Sequence, residues 1–335
     1  MDNLAKDKNI KMNMFRPRAK KLSEITDEMW NQILKEHRDL VEEFLQVNTH
    51  LSPQSKKQYT SGLRQFFYWV HRELNDKHLS KISKRDFIKY LSYLDSNGMS
   101  GKGQSFKKSS VSSFCNYIEN VVADDDDNYE NFRNFTKNLP AIAKNKVYEK
   151  IKVTKDEYDL LIDTLLKQEN YMGCAWVAVA FNTGARRSEI IQFKTKILDY
   201  PITEGQNYIL SHNVRLKGKG IDGKIEKYMI NFEALKYIKL WIEKRGYENE
   251  YIFTTKQKNQ ISESWGDEFC TNILSPILGR RINPHIFKAS CVTYLLESGI
   301  DAKLVSKYVA HHEDISTTLS FYDLRDFEEE KNQIF

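Results

Sequence analysis

The stretch PHIFKASCVTYLLESGIDAKLVSKYVAHHEDISTTLSFY, residues 284–322, decides how the chain is read. It sets His285 and Lys288 three positions apart, which on a helix is one turn along one face. It then offers a histidine pair, His311 and His312, and a tyrosine, Tyr322, ten positions beyond the second histidine. Each alone has an ordinary explanation, because a helical histidine is most often a satisfied residue and a tyrosine after a phenylalanine is most often packing. Together they are cations able to surround a phosphate and a hydroxyl able to attack it. What the earlier chain supplies fixes the reading.

At 335 residues the chain is long enough for two domains, each with its own core. A hydrophobic content of 40% with 12% aromatics argues for a folded protein. A charged fraction of 29% and a mean hydropathy of −0.61 argue for a wet surface. No run of eighteen apolar residues occurs, and the N-terminus lacks an apolar segment between its basic residues and a small-residue cleavage site, so a cytoplasmic protein is expected. Cys115, Cys174, Cys270 and Cys291 lie far apart with no CxxC spacing. They read as buried free thiols, with neither a disulfide framework nor a metal site. The net charge of +5 is modest, but its distribution is uneven. Basic residues cluster at Lys6 to Lys21, Lys56-Lys57, Lys107-Lys108, Lys144 to Lys152, Arg186-Arg187 and Arg215 to Lys227, and acids collect at Asp124 to Asp127 and Glu328 to Glu330. Local basic patches on a nearly balanced chain suit either a face that neutralises nucleic-acid phosphates or a lysine-rich solubilising surface.

In chain order, residues 1–26 read as a basic flexible arm and 27–137 as a helical domain. Apolar residues from Trp30 to Leu45 recur at helical spacing and predict one amphipathic helix over about 27–47. Ser52 and Pro53 open a second helix, whose first turns carry Lys56 and Lys57 where they can reach phosphates. Ser83 caps a third. SGKGQ at 100–104 reads as a loop before a fourth helix over 105–122, with Lys107 and Lys108 near its start, and a short helix is expected around 129–135. The aspartate run 124–127 reads as a solvated loop, because adjacent aspartates lack the alternating spacing of calcium loops. Residues 138–153, with Lys144 and Lys146, read as a linker, 154–325 as a second domain and 326–335 as a tail. In the second domain YMGCAWVAVAF at 171–181 is nearly all apolar and predicts a central buried helix. Arg186 follows at a glycine turn, where a cation needs an anionic partner. Strand-like stretches on either side of GKGIDGK predict a hairpin whose loop carries Lys217 and Lys219. The GxxxxGK[ST] pattern of a phosphate-binding loop is absent. Helices are expected over 232–244 and 262–274, with a short strand at 251–253 between them.

Four motifs now stand in sequence: Thr183-Gly184-Ala185-Arg186 with Ser188-Glu189-Ile190, the GKG hairpin, HxxK at His285, and HHEDISTTLSFY. Their order and approximate spacing resemble those of the tyrosine recombinase (phage integrase) family, in a phage-type member, over residues 30–325. The resemblance implies a mainly α protein with a small β-sheet: a two-domain clamp made of a helical core-binding domain and an α/β catalytic domain. It implies double-stranded DNA as partner, a homo-oligomer on DNA (dimer or tetramer), and strand exchange without cofactor, metal or ATP. By resemblance, Tyr322 is the nucleophile that forms a 3′-phosphotyrosyl link. Arg186 clamps the phosphate, Glu189 supports it, Lys219 is the general acid with Lys217 as alternate, His285 assists proton transfer, and His312 donates to the phosphate. Lys56, Lys57, Lys107, Lys108, Lys144, Lys146, Arg187 and Lys217 are the DNA-binding cations expected around it.

The chemistry agrees with that assignment. A phenol with a pKa near 10 keeps its proton at neutral pH and needs help to lose it. Charge developing on the phosphorane oxygens favours cations placed beforehand. Two positions depart from the family pattern. Lys288 stands where HxxR has arginine, giving one point contact in place of a planar fork, and His311 falls where glycine is common. The departure sets a second reading beside the active recombinase: a recombinase-fold, sequence-specific DNA-binding protein acting as a phage transcriptional repressor.

Overall fold

The computed structural model describes residues 22–49, 51–142, 151–202, 204–216 and 223–325. These fall into two compact units, 22–142 and 151–325. Lys144, Lys146, Lys217, Lys219 and most of the expected arm and tail lie outside the described residues.

The first unit is helical: α1 (Asp27–Asn31), α2 (Lys35–Val47), α3 (Pro53–Leu74), α4 (Lys84–Ser96) and α5 (Gly101–Tyr117). The single helix expected over 27–47 is broken at residues 32–34. Ile33 is buried there, the Leu34 N–H donates to Asp76 Oδ1 (3.2 Å), and Arg38 Nε donates to the Ile33 carbonyl (3.1 Å), so the groups freed by the break find partners. Helix α3 starts as the sequence indicated, with Ser52 Oγ accepting from the Ser55 N–H and proline in the first turn. A reciprocal capping box of Ser83 and Asp86 opens α4. The SGKGQ segment is not a loop. Ser100 caps the Gly103 N–H, Gln104 bonds Asp95 and the Met99 carbonyl, and the two glycines sit in the first turn, where the helix is already fixed by these side chains. Nor is 129–135 helical; it is a run of turns whose Tyr129, Phe132 and Phe135 are buried as aromatic plugs against Phe66, Phe87 and the His78 ring.

The second unit is built around α7 (Tyr171–Thr183), a helix buried on all sides because no polar residue occurs between Gly173 and Phe181. It packs against α6 (Lys155–Lys167), α9 (Phe232–Arg245) and α11 (Pro284–Glu297). Between α7 and α9 come the short helix α8 (Arg187–Ile190) and one bent hairpin. Strand β1 (Tyr208–Leu210) pairs antiparallel with β4 (Met229–Asn231), and β2 (Val214–Leu216) pairs with β3 (Lys224–Glu226). At the bend the Ser211 N–H donates to the Tyr228 carbonyl and the Tyr228 N–H donates to Ser211 Oγ, so a side chain completes the ladder. Residues 251–253 form an isolated bridge from Lys194 to Tyr251 in place of a strand. The helix expected over 262–274 is α10 (Glu263–Phe269) followed by a π-helical turn, Cys270–Leu274. The last described helix is α12 (Ile315–Phe321). All four cysteines are free and buried, and among the described residues no helix is long and apolar enough to cross a membrane.

Close approach of α3 and α5 requires Gly62. A Cβ there would lie 2.8 Å from Ser110 Oγ and 3.0 Å from its Cβ, and Ser110 is buried with its hydroxyl committed to the Phe106 carbonyl. Alanine gains up to about 1 kcal/mol of helix propensity, whereas overpacking costs about 1–3 kcal/mol. Gly62→Ala is therefore expected to lower the unfolding free energy by roughly 1 kcal/mol in urea titration, with partial recovery in Gly62→Ala/Ser110→Ala.

Candidate active site

Helix α7 ends on Gly184, whose φ of +62° is the left-handed conformation that glycine adopts without strain. The chain then turns, and Arg186 in extended geometry precedes α8. Glu189, three residues on, returns its carboxylate to the turn. Its Oε2 accepts from the Arg186 backbone N–H (2.6 Å) and from the Tyr228 hydroxyl (2.6 Å), and its Oε1 accepts from the Arg186 guanidinium (2.9 Å). Glu189 is fully buried. Burial alone would raise its pKa, but the charges of Arg186 and then Lys288, with the Tyr228 and Arg186 hydrogen bonds, hold it below the ordinary carboxylate range. Arg186 is the counterpart: burial opposes its charge and Glu189 restores it, so its pKa stands above the usual value. About a fifth of its side chain remains accessible, enough to meet a ligand.

Helix α11 begins at Pro284, with Asn283 Oδ1 accepting from the His285 N–H. His285 is exposed on this first turn, whereas Lys288, one turn later, is completely buried. Lys288 Nζ donates to the Ala310 carbonyl (2.9 Å) and lies 5.8 Å from the centre of the Tyr322 ring. Burial, and next the neighbouring Arg186, brings its pKa down to about 7, against the pull of Glu189.

The histidine pair closes a π-helical turn, Val305–Ala310. His311 is left-handed at φ +54°, buried, and set edge-on to the Tyr228 ring with centroids 4.6 Å apart. The His312 N–H donates to the Ser306 carbonyl, and His312 Nδ1 lies 2.9 Å from Thr318 Oγ1. Thr318 directs its own hydrogen to Ser306 Oγ (2.9 Å), so its oxygen is left to accept from Nδ1–H. Neutral His312 therefore carries its lone pair on Nε2 and becomes a donor there only when protonated. Burial first and Lys288 next lower the pKa of both histidines to about 4. Tyr322 follows α12 directly. Its ring stands 4.8 Å from that of His312, its N–H donates to the Thr318 carbonyl, and its own carbonyl accepts from Thr293 Oγ1 of α11 (2.9 Å).

The geometry thus joins Arg186, Glu189, Lys288, His312 and Tyr322, and adds residues that sequence reasoning missed: Tyr228, Thr293, Ser306 and Thr318. Thr318 sits six residues after His312 in the quoted stretch, but nothing in that spacing announces a bond. Tyr228 reads as one more apolar strand residue. Of the expected DNA-binding cations, Lys56 and Lys57 are exposed on the first turn of α3, and Lys107 and Lys108 are half-buried on α5. Burial pulls Lys107 down to about 8. Arg187 is engaged in ion pairs with Asp267 and, at 3.9 Å, Glu263.

Comparison with known proteins gives consistent matches. The phage integrase family model matches residues 152–329, and the phage integrase N-terminal SAM-like domain matches 38–123. The SPbeta prophage-derived recombinase-like protein YomM of Bacillus subtilis (strain 168) is 61% identical over 332 residues, covering 98% of this chain and 99% of that protein. Tyrosine recombinase XerD of Staphylococcus saprophyticus is 25% identical over 292 residues, covering 82% of this chain and 89% of its own. Among solved structures, the Tn1549 transposon integrase in complex with circular intermediate DNA superposes with a TM-score of 0.67 at 14% identity, over 89% of this chain and 99% of that one. A lambda integrase dimer bound to a COC′ core site gives 0.62 at 16% identity, over 88% and 97%. The structural likenesses establish the fold.

The buried cations make stability depend on pH. Lys288 has a folded pKa of about 7 against an ordinary 10.5, so the unfolded chain holds the extra proton between these values. Its contribution is fully present above the higher value and is lost as pH falls through 7. His311 and His312, at about 4 against 6.5, act likewise on the acid side. From pH 9 to 7 the unfolding free energy of the wild type should fall by about 1 kcal/mol per pH unit from this source. Urea titrations of Lys288→Met should show that slope removed and the loss below pH 6.5 retained.

Proposed function

This chain belongs to the phage integrase family, and on that premise we propose that it is a site-specific tyrosine recombinase that cuts and rejoins duplex DNA through a covalent 3′-phosphotyrosyl intermediate, in integration or excision. The observation that carries the reading is that Lys288 and His312, from separate elements, flank the Tyr322 ring at 5.8 and 4.8 Å, with the Arg186–Glu189 pair near enough for its charge to act on Lys288.

In the proposed reaction Tyr322 Oη attacks the scissile phosphorus and releases its proton, while the bond to the 5′ oxygen breaks and that oxygen takes up a proton. Arg186, held by Glu189, meets the non-bridging oxygens as charge grows on them. An arriving phosphate offsets the mutual repulsion of Arg186, Lys288 and protonated His312, and so favours the charged form of each. His312 then donates from Nε2. Lys219, by resemblance the acid for the leaving oxygen, and His285, by resemblance a proton-transfer partner, complete the set. Rejoining reverses these steps with another DNA end, so the energy of the phosphodiester is kept in the tyrosyl link and neither ATP nor a metal is needed. The basic residues of both units would meet the backbone in a salt-dependent manner, as a dimer or tetramer on DNA.

One observation favours the second reading, a DNA-binding repressor without catalysis. The Lys288 ammonium is bonded to the Ala310 carbonyl and completely buried, so as placed it supports the protein and offers the phosphate less than an arginine fork would.

Covalency separates the two. A nicked suicide duplex carrying the protein's own site, recovered by selection from genomic fragments, should trap a protein–DNA adduct that disappears in Tyr322→Phe. Arg186→Lys should slow adduct formation by about 10²–10³-fold, with DNA affinity reduced far less. Salt-sensitive binding with no adduct at that site would reject the recombinase and leave the repressor.

A further inference from the structure

We infer that His311 is a positioning residue of this site: its imidazole seats the Tyr228 ring so that the phenol reaches Glu189 and, through that carboxylate, orients the Arg186 guanidinium. The inference rests on the reading of Arg186 as the phosphate clamp.

A histidine is an unfavourable choice at this point for folding alone. The backbone is left-handed at φ +54°, where glycine is at ease and a residue with a Cβ is strained. The residue is only 8% exposed, and neither ring nitrogen has a hydrogen-bond partner among the described residues. A buried polar group left unmet opposes folding. Glycine would remove both costs, so what the imidazole contributes has to be sought in its contacts. Its ring meets that of Tyr228 edge-on, 4.6 Å between centroids and 79° between planes, the favourable arrangement for two aromatic rings. Tyr228 lies at the bend of the hairpin, between β3 and β4, with its backbone tied to Ser211 and its ring held edge-on by His311 and, at 5.7 Å, by Phe193. Its hydroxyl donates to Glu189 Oε2 at 2.6 Å, the same oxygen that takes the Arg186 backbone N–H. An unbroken series of contacts therefore runs from His311 through Tyr228 and Glu189 to Arg186.

The residue before it completes the argument. Ala310 accepts from Lys288 Nζ, so two adjacent residues hold both cations of the site, one through a carbonyl and one through a ring. Removing the imidazole takes away one of the two rings packed on Tyr228 and leaves Phe193 alone against it, so the hydroxyl can shift from Glu189. The carboxylate then turns toward the guanidinium alone, and the fork loses its fixed direction.

The test uses the full chain and duplexes carrying its own binding site with either a normal scissile phosphate or a neutral methylphosphonate there. Measured throughout with Tyr322→Phe in every protein compared, the ratio of the two affinities reports the clamp without any cleavage. Arg186→Ala should lower the wild-type ratio strongly. His311→Gly should lower the ratio roughly tenfold, while its thermal unfolding midpoint stays level or rises. His311→Asn, which tolerates left-handed backbone, should behave like the glycine variant in the ratio. Tyr228→Phe should reproduce the loss, and His311→Gly in that background should add little. The inference is overturned if His311→Gly keeps the wild-type ratio, if its effect adds fully to that of Tyr228→Phe, or if both His311 variants lose ratio and unfolding midpoint together. An unchanged ratio in Arg186→Ala removes the clamp itself and is recognised before any His311 variant is measured. Absence of an adduct in the wild type, by contrast, leaves this experiment intact, since it reads binding alone.

Discussion

Glu189 accepts three hydrogen bonds, from the Arg186 backbone, the Arg186 guanidinium and the Tyr228 hydroxyl, at a place with no solvent access. An unpaired carboxylate there would cost several kcal/mol, so these bonds are conditions of folding as well as features of a site. They tie together the glycine turn after α7, the start of α8 and the bend of the hairpin. They also fix the charge balance. With Lys288 protonated the cluster holds two cations and one anion, an excess of positive charge that burial makes expensive and that an anion entering beside Arg186 would relieve.

The second half of the site arrives on short and irregular pieces. A π-helical turn ends in left-handed His311, a few residues of connection follow, and α12 is seven residues long before it yields Tyr322. Regular helix would have carried the tyrosine away from His312. Placement is instead enforced by single bonds: Ser306 and Thr318 hold His312, and Thr293 on the longer α11 holds the Tyr322 carbonyl. Each of these threonines and serines is buried, so the bonds compete with no water.

Much of the helical framework was legible because caps and periodicity act over a few residues. Ser52-Pro53, Ser83 with Asp86, and Thr154 with Glu157 start helices where local chemistry says they should. The failures come from partners distant in sequence. Asp76 breaks the first helix from forty-two residues away, and Asp95 holds the glycine-bearing first turn of α5. The side chains of the candidate site were legible through their order, which resembles a known pattern. Their support was not, because Tyr228 and Thr293 become polar contributors only when the fold brings Glu189 and Tyr322 to them. Chemical type alone ranked His285 with Lys288, and burial separates them, leaving the histidine on the surface and the lysine wholly inside.

That burial is what makes lysine at 288 more than a shorter arginine. Arginine keeps its charge under nearly all conditions, so its contribution to a site is constant. Lysine yields its proton when desolvated, and here burial and Arg186 have moved it to about 7. The ammonium is held by one carbonyl and opposed by a neighbouring cation. On the proposed reading, a phosphate diester beside Arg186 would offset that opposition. On that reading, charge at 288 would be linked to DNA by the same thermodynamics that links a proton to folding. An arginine there would have met the phosphate without that condition.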